Sequence, residues 1–220
     1  MGKFAVVLCG SGYLDGSEIR ESVATLLSLS QRNKDFECFA PDAAQTDVMN
    51  CLTGKPAAKE SRNMLVEAAR IARGKVSPLD HLNPTAFEGL ILPGGFGAAK
   101  NLCSFATQGA SGRVIPELQS IIERFHGARR PIGAICIAPA IVALALRNKG
   151  IRMTVGTASE ASQEIEKSGH KHVECSVTDC VSDPVAKVVT TPAYMYGDAK
   201  LHEIFTGIGK LVGEVIQLTR

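Results

Sequence analysis

The stretch 130-RPIGAICIAPAIVAL-144 decides the fold, because it passes from a strand pattern to a helix pattern within one residue. A β-branched run ends at Ile135, a segment of helix formers begins at Ala138, and Cys136 stands at the changeover. At a sharp strand-to-helix turn the backbone crowds the central residue, so the residues two before and two after it must be small, as Ala134 and Ala138 are. The pattern therefore predicts a nucleophile elbow with Cys136 at its tip.

The chemistry of Cys136 has two interpretations at this point. Pro139 fits the first turn of the following helix, where its missing N–H costs nothing. The free N–H groups at the start of that helix are expected to favour a thiolate and to lower the pKa of Cys136. Alternatively, Cys136 is a small buried hydrophobe between strand and helix, as free cysteines often are.

Length and composition bound the possibilities. A chain of 220 residues with 45% hydrophobic content predicts one well-buried domain spanning residues 1–220. A net charge of +2, with basic and acidic residues interspersed, gives no electrostatic reason to expect nucleic acid or a membrane as partner. The seven dispersed cysteines contain no Cys-x-x-Cys pair and are predicted to be reduced thiols. The first residues lead straight into an apolar run, which predicts a cytoplasmic protein, or a mitochondrial one where a transit peptide has been removed.

Strand and helix patterns alternate along the chain. Strands are predicted at 4–8, 36–41, 87–92, 132–135 and 151–155, with a strand pair over 178–182 and 186–191. Helices are predicted after residue 17 and over about 60–73, 115–126, 139–146 and 198–218. This alternation predicts a mainly parallel sheet covered by helices on both faces.

The loop after the first strand is rich in glycine. Its glycines at 10, 12 and 16 miss the spacing of a dinucleotide fingerprint, so no dinucleotide site is predicted there. Asp15 or Ser17 is expected to cap the helix that follows. The buried stripe of that helix is predicted to consist of Ile19, Val23, Leu26 and Leu27.

Two further features stand beside predicted element ends. Glu18 and Glu21 lie in the first turn of that helix, off the stripe, where solvated carboxylates that complement the helix dipole are common. Gly94 and Gly95 follow the third strand, and paired glycines at a strand's carboxyl end allow a close backbone approach. A functional loop belongs at such an end, although a purely steric reason for the glycines stays open.

A cluster of histidine and cysteine residues in 170-HKHVECSVTDC-180 contains side-chain types that bind zinc. Its spacing matches no zinc-finger or metalloprotease pattern, and alternation along a strand would put His170 and His172 on one face and Cys175 on the other. No metal site is therefore predicted here.

Four motifs, taken together and in order, support a family resemblance: GSEIRE (16–21), ILPGGFGAAKNL (91–102), GAICIAP (133–139) and TTPAYM (190–195). They resemble the PfpI-like branch of the class I glutamine-amidotransferase-like superfamily, and within it the ElbB subfamily of isoprenoid biosynthesis ("enhancing lycopene biosynthesis") proteins. The resemblance spans nearly the whole chain. It implies an α/β flavodoxin-like three-layer sandwich, Cys136 as nucleophile, no cofactor and a homodimer.

The resemblance also implies roles for particular residues. The backbone N–H groups of Gly95 and Ile137 are expected to form an oxyanion hole, with Gly94 and Glu18 beside the substrate. Counting from the preceding glycine, Glu21 matches the acidic residue that hydrogen-bonds the cysteine in the superfamily. Burial and the neighbouring thiolate are expected to raise the pKa of Glu21, while Glu18 is expected to behave as a surface carboxylate.

One departure from the family pattern directs the functional expectation. Protease and amidotransferase relatives place a histidine directly after the nucleophile or at the end of the next strand, whereas this chain has Ile137 and an imidazole-free segment at 153–157. Protonation of an amine leaving group is therefore disfavoured, while addition to a reactive aldehyde stays easy.

The expected activity is a glutathione-independent glyoxalase reaction on a small dicarbonyl substrate, glyoxal or methylglyoxal. Cys136 would attack the aldehyde and Glu21 would move the proton. The alternatives are a non-enzymatic redox sensor whose Cys136 oxidises, and a glutaminase-like partner in isoprenoid biosynthesis.

Overall fold

The structure is a computed structural model that describes residues 2–220. Its strands are Lys3–Val7 (β1), Asp35–Ala40 (β2), Met49–Asn50 (β3), Lys55–Pro56 (β4), Val76–Pro78 (β5), Gly89–Leu92 (β6), Ile132–Ile135 (β7), Arg152–Met153 (β8), Lys171–His172 (β9), Val181–Asp183 (β10) and Val188–Thr191 (β11). Its α-helices are Ile19–Gln31 (α1), Met64–Ile71 (α2), Phe96–Asn101 (α3), Phe105–Gln108 (α4), Pro116–Gly127 (α5), Pro139–Ala145 (α6), Glu160–Lys167 (α7) and Leu201–Gln217 (α8).

The main sheet has seven strands in the order β10-β11-β7-β6-β1-β2-β5. All neighbours in it pair in parallel except β10 and β11, which are antiparallel. The central strands β7, β6 and β1 end at the same edge, because parallel strands share a direction. The predicted α/β flavodoxin-like fold with a mainly parallel sheet is confirmed.

Both faces of the sheet are buried, as the apolar strand runs require. On β1, Ala5 and Val7 point into the layer that contains α5 and α6, while Phe4 and Val6 point into the layer that contains α8. Successive residues of a strand point to opposite faces, so a strand covered on both sides must be apolar throughout. This double burial fixes the sheet and holds its strand ends in place.

Several element predictions differ from the structure. The predicted strand at 151–155 forms only as Arg152–Met153, and it pairs with β9 in a separate two-stranded sheet. The structure also contains β5, the β3–β4 hairpin and the helices α3, α4 and α7, none of which was predicted. In α7 the reason is local, because the helix buries only Ser162 and Ile165 and so carries no apolar stripe. The pairing of β10 with β11 is confirmed, and α8 buries Ile204, Ile208, Leu211, Val212 and Val215.

The predicted buried stripe of α1 is wrong for three of its four residues, whereas the fourth, Leu26, is half-buried and packs against the core layer that contains α8. Ile19, Val23 and Leu27 are 43–46% exposed, and the helix turns its small and polar residues inward instead. Ser28 approaches Gly209 of α8 closely, and the Thr25 hydroxyl donates to a backbone carbonyl of its own helix at 2.8 Å. Small inward side chains let α1 pack tightly against α8, which outweighs the apolar pattern.

The predicted cap of α1 is also wrong. Glu18 is the N-cap, and its carboxylate accepts a hydrogen bond from the N–H three residues on at 2.6 Å. Ser17 and Asp15 are buried in the preceding loop, where Ser17 accepts the Cys9 N–H at 2.9 Å and Asp15 accepts an N–H of β3 at 2.8 Å. Both side chains therefore hold the loop rather than the helix. Within residues 2–220, no helix combines the length and apolarity needed to cross a membrane.

Candidate active site

Cys136 follows β7 directly and adopts a positive φ of 61°, which is uncommon for a residue with a side chain. Its N–H donates to the carbonyl of Thr191 in β11 at 2.9 Å. Ala134 and Ala138 are fully buried on either side of it, and Pro139 opens α6. The chain therefore makes the sharp turn that the sequence predicts, with the sulfur at the carboxyl edge of the sheet.

Gly94 and Gly95 bring the loop after β6 up against this turn. A Cβ on Gly94 would lie 2.6 Å from the Cβ of Cys136 and 2.7 Å from a carboxyl oxygen of Glu21. Gly95 has a φ of 99°, and its Cβ would lie 2.5 Å from the Gly16 carbonyl oxygen. Only glycines let this backbone come so close to Cys136. The steric reason for Gly94 and Gly95 is therefore compatible with the predicted functional loop.

The sulfur of Cys136 is surrounded by hydrogen-bonding groups. The backbone N–H groups of Gly95 and Ile137 and the carboxyl of Glu21 are its polar neighbours. The expected oxyanion hole formed by these two N–H groups stays a prediction. The structure brings together all the residues that the sequence singled out, namely Glu18, Glu21, Gly94, Gly95, Cys136 and Ile137.

Glu21 lies fully buried beneath the sulfur. One carboxyl oxygen accepts the Gly94 N–H at 2.9 Å, and the other accepts the Tyr194 N–H at 3.3 Å. Burial, followed by the charge of Glu18, raises the pKa of Glu21 to about 8. The predicted rise in the pKa of Glu21 is confirmed, although the neighbouring charge that contributes to it is the carboxylate of Glu18 rather than the thiolate of Cys136.

The expectation of a lowered pKa for Cys136 is wrong. Burial, followed by the Glu21 carboxyl, raises the pKa of this thiol well above its ordinary value and outweighs the N–H groups of Gly95 and Ile137. The side chain is only 8% exposed, and α6 is only seven residues long, so its dipole is weak. Cys136 therefore rests as a neutral thiol at neutral pH.

Glu18 differs from the predicted surface carboxylate. It is half-buried, it lines the cavity in front of Cys136, and burial raises the pKa of its carboxyl. Because its carboxylate also caps α1, the side chain is held in place at the cavity wall. Two carboxyl groups therefore flank the sulfur, Glu21 beneath it and Glu18 on the open side.

The cavity in front of the sulfur has a volume of about 260 Å³. Besides predicted site residues, it is lined by Tyr13, Phe96, Tyr194 and Met195, to which the sequence analysis gave no role. Phe96 and the pair Tyr194–Met195 fall inside two of the family motifs, which was the available signal. Tyr13 carried no comparable signal, because only the folded loop brings it to the cavity.

The two histidines of the segment 170–180 contact backbone groups. A ring nitrogen of His170 lies 3.1 Å from the Ala143 carbonyl, and His172 accepts the Val155 N–H at 3.3 Å. Within residues 2–220, no three His, Cys, Asp or Glu side chains lie close enough to hold a metal ion. In the same part of the chain, no histidine lines the Cys136 cavity.

Comparison with known proteins identifies the relatives of this chain. It is 42% identical to the rat "ES1 protein homolog, mitochondrial" over 226 residues, covering 99% of this chain and 84% of the rat protein. It is also 42% identical to the human "Glutamine amidotransferase-like class 1 domain-containing protein 3, mitochondrial", covering 99% of this chain and 83% of the human one. No protein-family model matches the chain.

The solved structures agree. The isoprenoid biosynthesis protein with amidotransferase-like domain from Ehrlichia chaffeensis superposes with a TM-score of 0.93 at 35% identity, covering 100% of both chains. With these identities over nearly its full length, the chain belongs to the family of ES1 and glutamine amidotransferase-like class 1 domain proteins.

Proposed function

We propose that this protein is a glutathione-independent glyoxalase-type enzyme that converts small dicarbonyls such as glyoxal and methylglyoxal to hydroxy acids. The observation that carries the proposal is the surroundings of Cys136. Its sulfur opens into a small cavity, two N–H groups and a buried carboxyl contact it, and no imidazole lines the cavity within residues 2–220. Such a site suits addition to an aldehyde better than the expulsion of an amine.

The first step is addition of the Cys136 thiol to the aldehyde. A sulfur–carbon bond forms, the thiol proton moves through the Glu21 carboxyl to the aldehyde oxygen, and the product is a hemithioacetal. Gly95 and Ile137 lie where their N–H groups would stabilise the charge that builds on that oxygen. Because the thiol proton is transferred during addition, the reaction does not need a thiolate at rest.

The second step moves hydrogen between the two carbons of the bound substrate. Glu21 removes the proton of the carbon attached to sulfur to give an enediol, and the proton returns to the neighbouring carbon to leave a thioester. A carboxyl group with a pKa near the working pH is well matched to this task. Water then hydrolyses the thioester, releasing the hydroxy acid and the free thiol, so that the overall reaction is dicarbonyl plus water to hydroxy acid.

A dicarbonyl assay tests the proposal. We expect purified protein, free of thiol additives and contaminating glyoxalases, to consume glyoxal or methylglyoxal with stoichiometric formation of the hydroxy acid. Cys136→Ala should be inactive, whereas Cys51→Ala, which removes an exposed thiol, should retain full activity. Consumption no faster than in Cys136→Ala would refute the proposal.

The redox-sensor alternative rests on a reactive thiolate, and the raised pKa and small exposure of Cys136 weaken that basis. Resistance of Cys136 to near-stoichiometric peroxide, followed by intact mass, would remove it. The glutaminase alternative rests on the names of relatives and predicts glutamine hydrolysis, which the imidazole-free cavity lining disfavours.

Assembly and location are proposals of the same kind. We infer a homodimer, supported by the exposed apolar stripe of Ile19, Val23 and Leu27 on α1, and light scattering after size exclusion tests it.

We also infer membership of the ElbB subfamily, supported by the similarity to the Ehrlichia protein. A mitochondrial location is supported by the names of the rat and human relatives, which lend no support to the cytoplasmic expectation.

A further inference from the structure

The Cys136 cavity is larger than a two- or three-carbon dicarbonyl requires, and its lining is more apolar. Five of its eight lining residues have large apolar or aromatic side chains, namely Tyr13, Phe96, Ile137, Tyr194 and Met195. Its volume of about 260 Å³ approaches the ~300 Å³ at which cavities for drug-sized ligands begin. Glyoxal would fill only a fraction of this space, so most of the apolar wall would stay in contact with water.

Hydrogen bonds hold the backbone that carries Tyr13 and Phe96, and the side chain of Tyr194, at the mouth of the cavity. The N–H of Phe96 donates to the Tyr13 carbonyl at 2.8 Å, which joins the two loops that carry these rings. On the other side, the Arg20 guanidinium donates to the Tyr194 hydroxyl at 3.0 Å and stacks on that ring at 6.0 Å. Tyr13 is 47% and Phe96 57% exposed, so both rings keep apolar surface available for a ligand.

The charges around the cavity also favour an uncharged apolar ligand. Glu18 supplies the one ionisable carboxyl among the described lining residues, and no lysine, arginine or histidine lies among them. The nearest described cation, Arg20, lies outside this lining, where it donates to the Tyr194 hydroxyl and attracts Glu18. A phosphate or carboxylate on the substrate would therefore meet Glu18 without a free cation in the lining, and like charges at close range repel. An uncharged apolar group would instead cover the aromatic wall and gain the free energy of burial.

We propose that the Cys136 cavity selects uncharged α-oxoaldehydes that carry a bulky apolar substituent, such as an aryl or branched alkyl group, over glyoxal and over anionic aldehydes. This inference rests on the proposed function for the identity of the reacting group. The aldehyde carbon meets the sulfur and the N–H groups of Gly95 and Ile137, while the substituent lies between Phe96, Tyr13 and Met195.

A specificity measurement tests the preference in turnover. We expect Phe96→Ala to lower the ratio of kcat/KM for phenylglyoxal to that for glyoxal by about tenfold, at the low end of what hydrophobic pockets discriminate. Val185→Ala removes another exposed apolar side chain, in the turn between β10 and β11 and away from the site, and should leave the ratio unchanged. An unchanged ratio in Phe96→Ala would overturn the inference while leaving the proposed function standing.

Alkylation provides a test that does not need turnover. The rate ratio of N-benzyl-iodoacetamide to iodoacetamide is measured at Cys136 by peptide mass, with the exposed Cys51 of the same molecule as internal reference. We expect the ratio at Cys136 to exceed that at Cys51 by about tenfold, and the ratio of iodoacetate to iodoacetamide to be lower at Cys136 than at Cys51.

The two measurements separate the possible failures. Equal benzyl ratios at Cys136 and Cys51 would overturn the apolar preference, and equal iodoacetate ratios would overturn the exclusion of anions. Absence of dicarbonyl turnover together with the expected alkylation ratios would refute the proposed function and leave the selectivity of the cavity intact.

Discussion

Two cysteines stand at the carboxyl edge of the same sheet, and their surroundings differ sharply. Cys9 follows β1 and Cys136 follows β7, and these strands flank β6 on opposite sides. Both thiols are buried, and burial raises the pKa of each, that of Cys9 to about 12. Cys9 is fully enclosed beside the Ser17 hydroxyl, 3.5 Å from its sulfur, within one of the two core layers.

The difference between these two regions lies in what contacts the sulfur. Cys136 has a strained backbone, two neighbouring backbone N–H groups, a neighbouring carboxyl, and a cavity in front of it. Cys9 has a hydroxyl neighbour and does not line the Cys136 cavity. A cysteine at a strand end therefore becomes a candidate nucleophile only when neighbouring elements supply access, donors and a proton partner together.

The largest expected effect concerns the proton partner of Cys136. We expect Glu21→Gln to lower dicarbonyl turnover by about two to four orders of magnitude, the usual scale for general acid–base catalysis. The amide keeps a hydrogen-bond donor but cannot accept the proton, so Cys136 should still react with iodoacetamide. Turnover equal to wild type, or a larger loss in Glu18→Gln, would show that the other carboxyl carries the proton.

Access is the second point of difference. We expect iodoacetamide to alkylate Cys136 at least about a hundredfold faster than Cys9 in the native protein, because Cys9 becomes reachable only when the surrounding structure opens locally. Peptide mass analysis over a time course measures both rates in one sample. Equal rates in native protein would remove the distinction between the two sites, while equal rates in denaturant are expected.

The burial of Glu21 should also make the free energy of unfolding depend on pH. Glu21 binds its proton more tightly in the folded protein, where its pKa is about 8, than in the unfolded chain, where a glutamate titrates near 4.5. Its contribution is therefore fully present below about pH 4.5 and is lost as pH rises through about 8. At about 1.4 kcal/mol per pKa unit, the loss of unfolding free energy is on the order of a few kcal/mol.

Urea denaturation at pH 5 and pH 8 measures this slope. Glu21→Gln should flatten it, although the raised pKa of Glu18 leaves a smaller slope of the same sign. Glu123→Gln, at an exposed position on α5, should keep the wild-type slope. A wild-type slope in Glu21→Gln would mean that this carboxyl is ionised in the folded protein throughout the range.

The smallest expected effect concerns Cys9. Ser17→Ala removes the hydroxyl that accepts the Cys9 N–H at 2.9 Å and leaves that buried donor unpaired. We expect a loss of about 1–3 kcal/mol in unfolding free energy, measured by urea denaturation, with dicarbonyl turnover unchanged. A loss of turnover without a loss of stability would show that the Cys9 region takes part in the chemistry.

The sequence predicted much of this arrangement because the determinants were local. Small residues around Cys136 and paired glycines after β6 are requirements of backbone geometry, and a chain that must turn sharply displays them in any context. The strand runs were equally readable, since a strand buried on both faces must be apolar throughout.

The errors share a different cause. The orientation of α1 depended on the small residues that α8 accepts, so its apolar residues Ile19, Val23 and Leu27 point to solvent. The pKa of Cys136 depended on Glu21 and on the depth of burial, neither of which a helix dipole argument includes. The position of Glu18 depended on its role as the helix cap.

The sequence by itself determined the parallel α/β architecture, the elbow at Cys136 and the glycines that approach it. The family resemblance implied that Glu21 lies beside Cys136, and only the tertiary structure decided how deeply it is buried, that Glu18 faces the cavity, and that Tyr13 and Phe96 form its mouth. The physical reason is the sequence separation of the residues involved. Backbone turns and strand burial depend on neighbouring residues, whereas the protonation and the shape of a site depend on side chains that separate elements bring into contact.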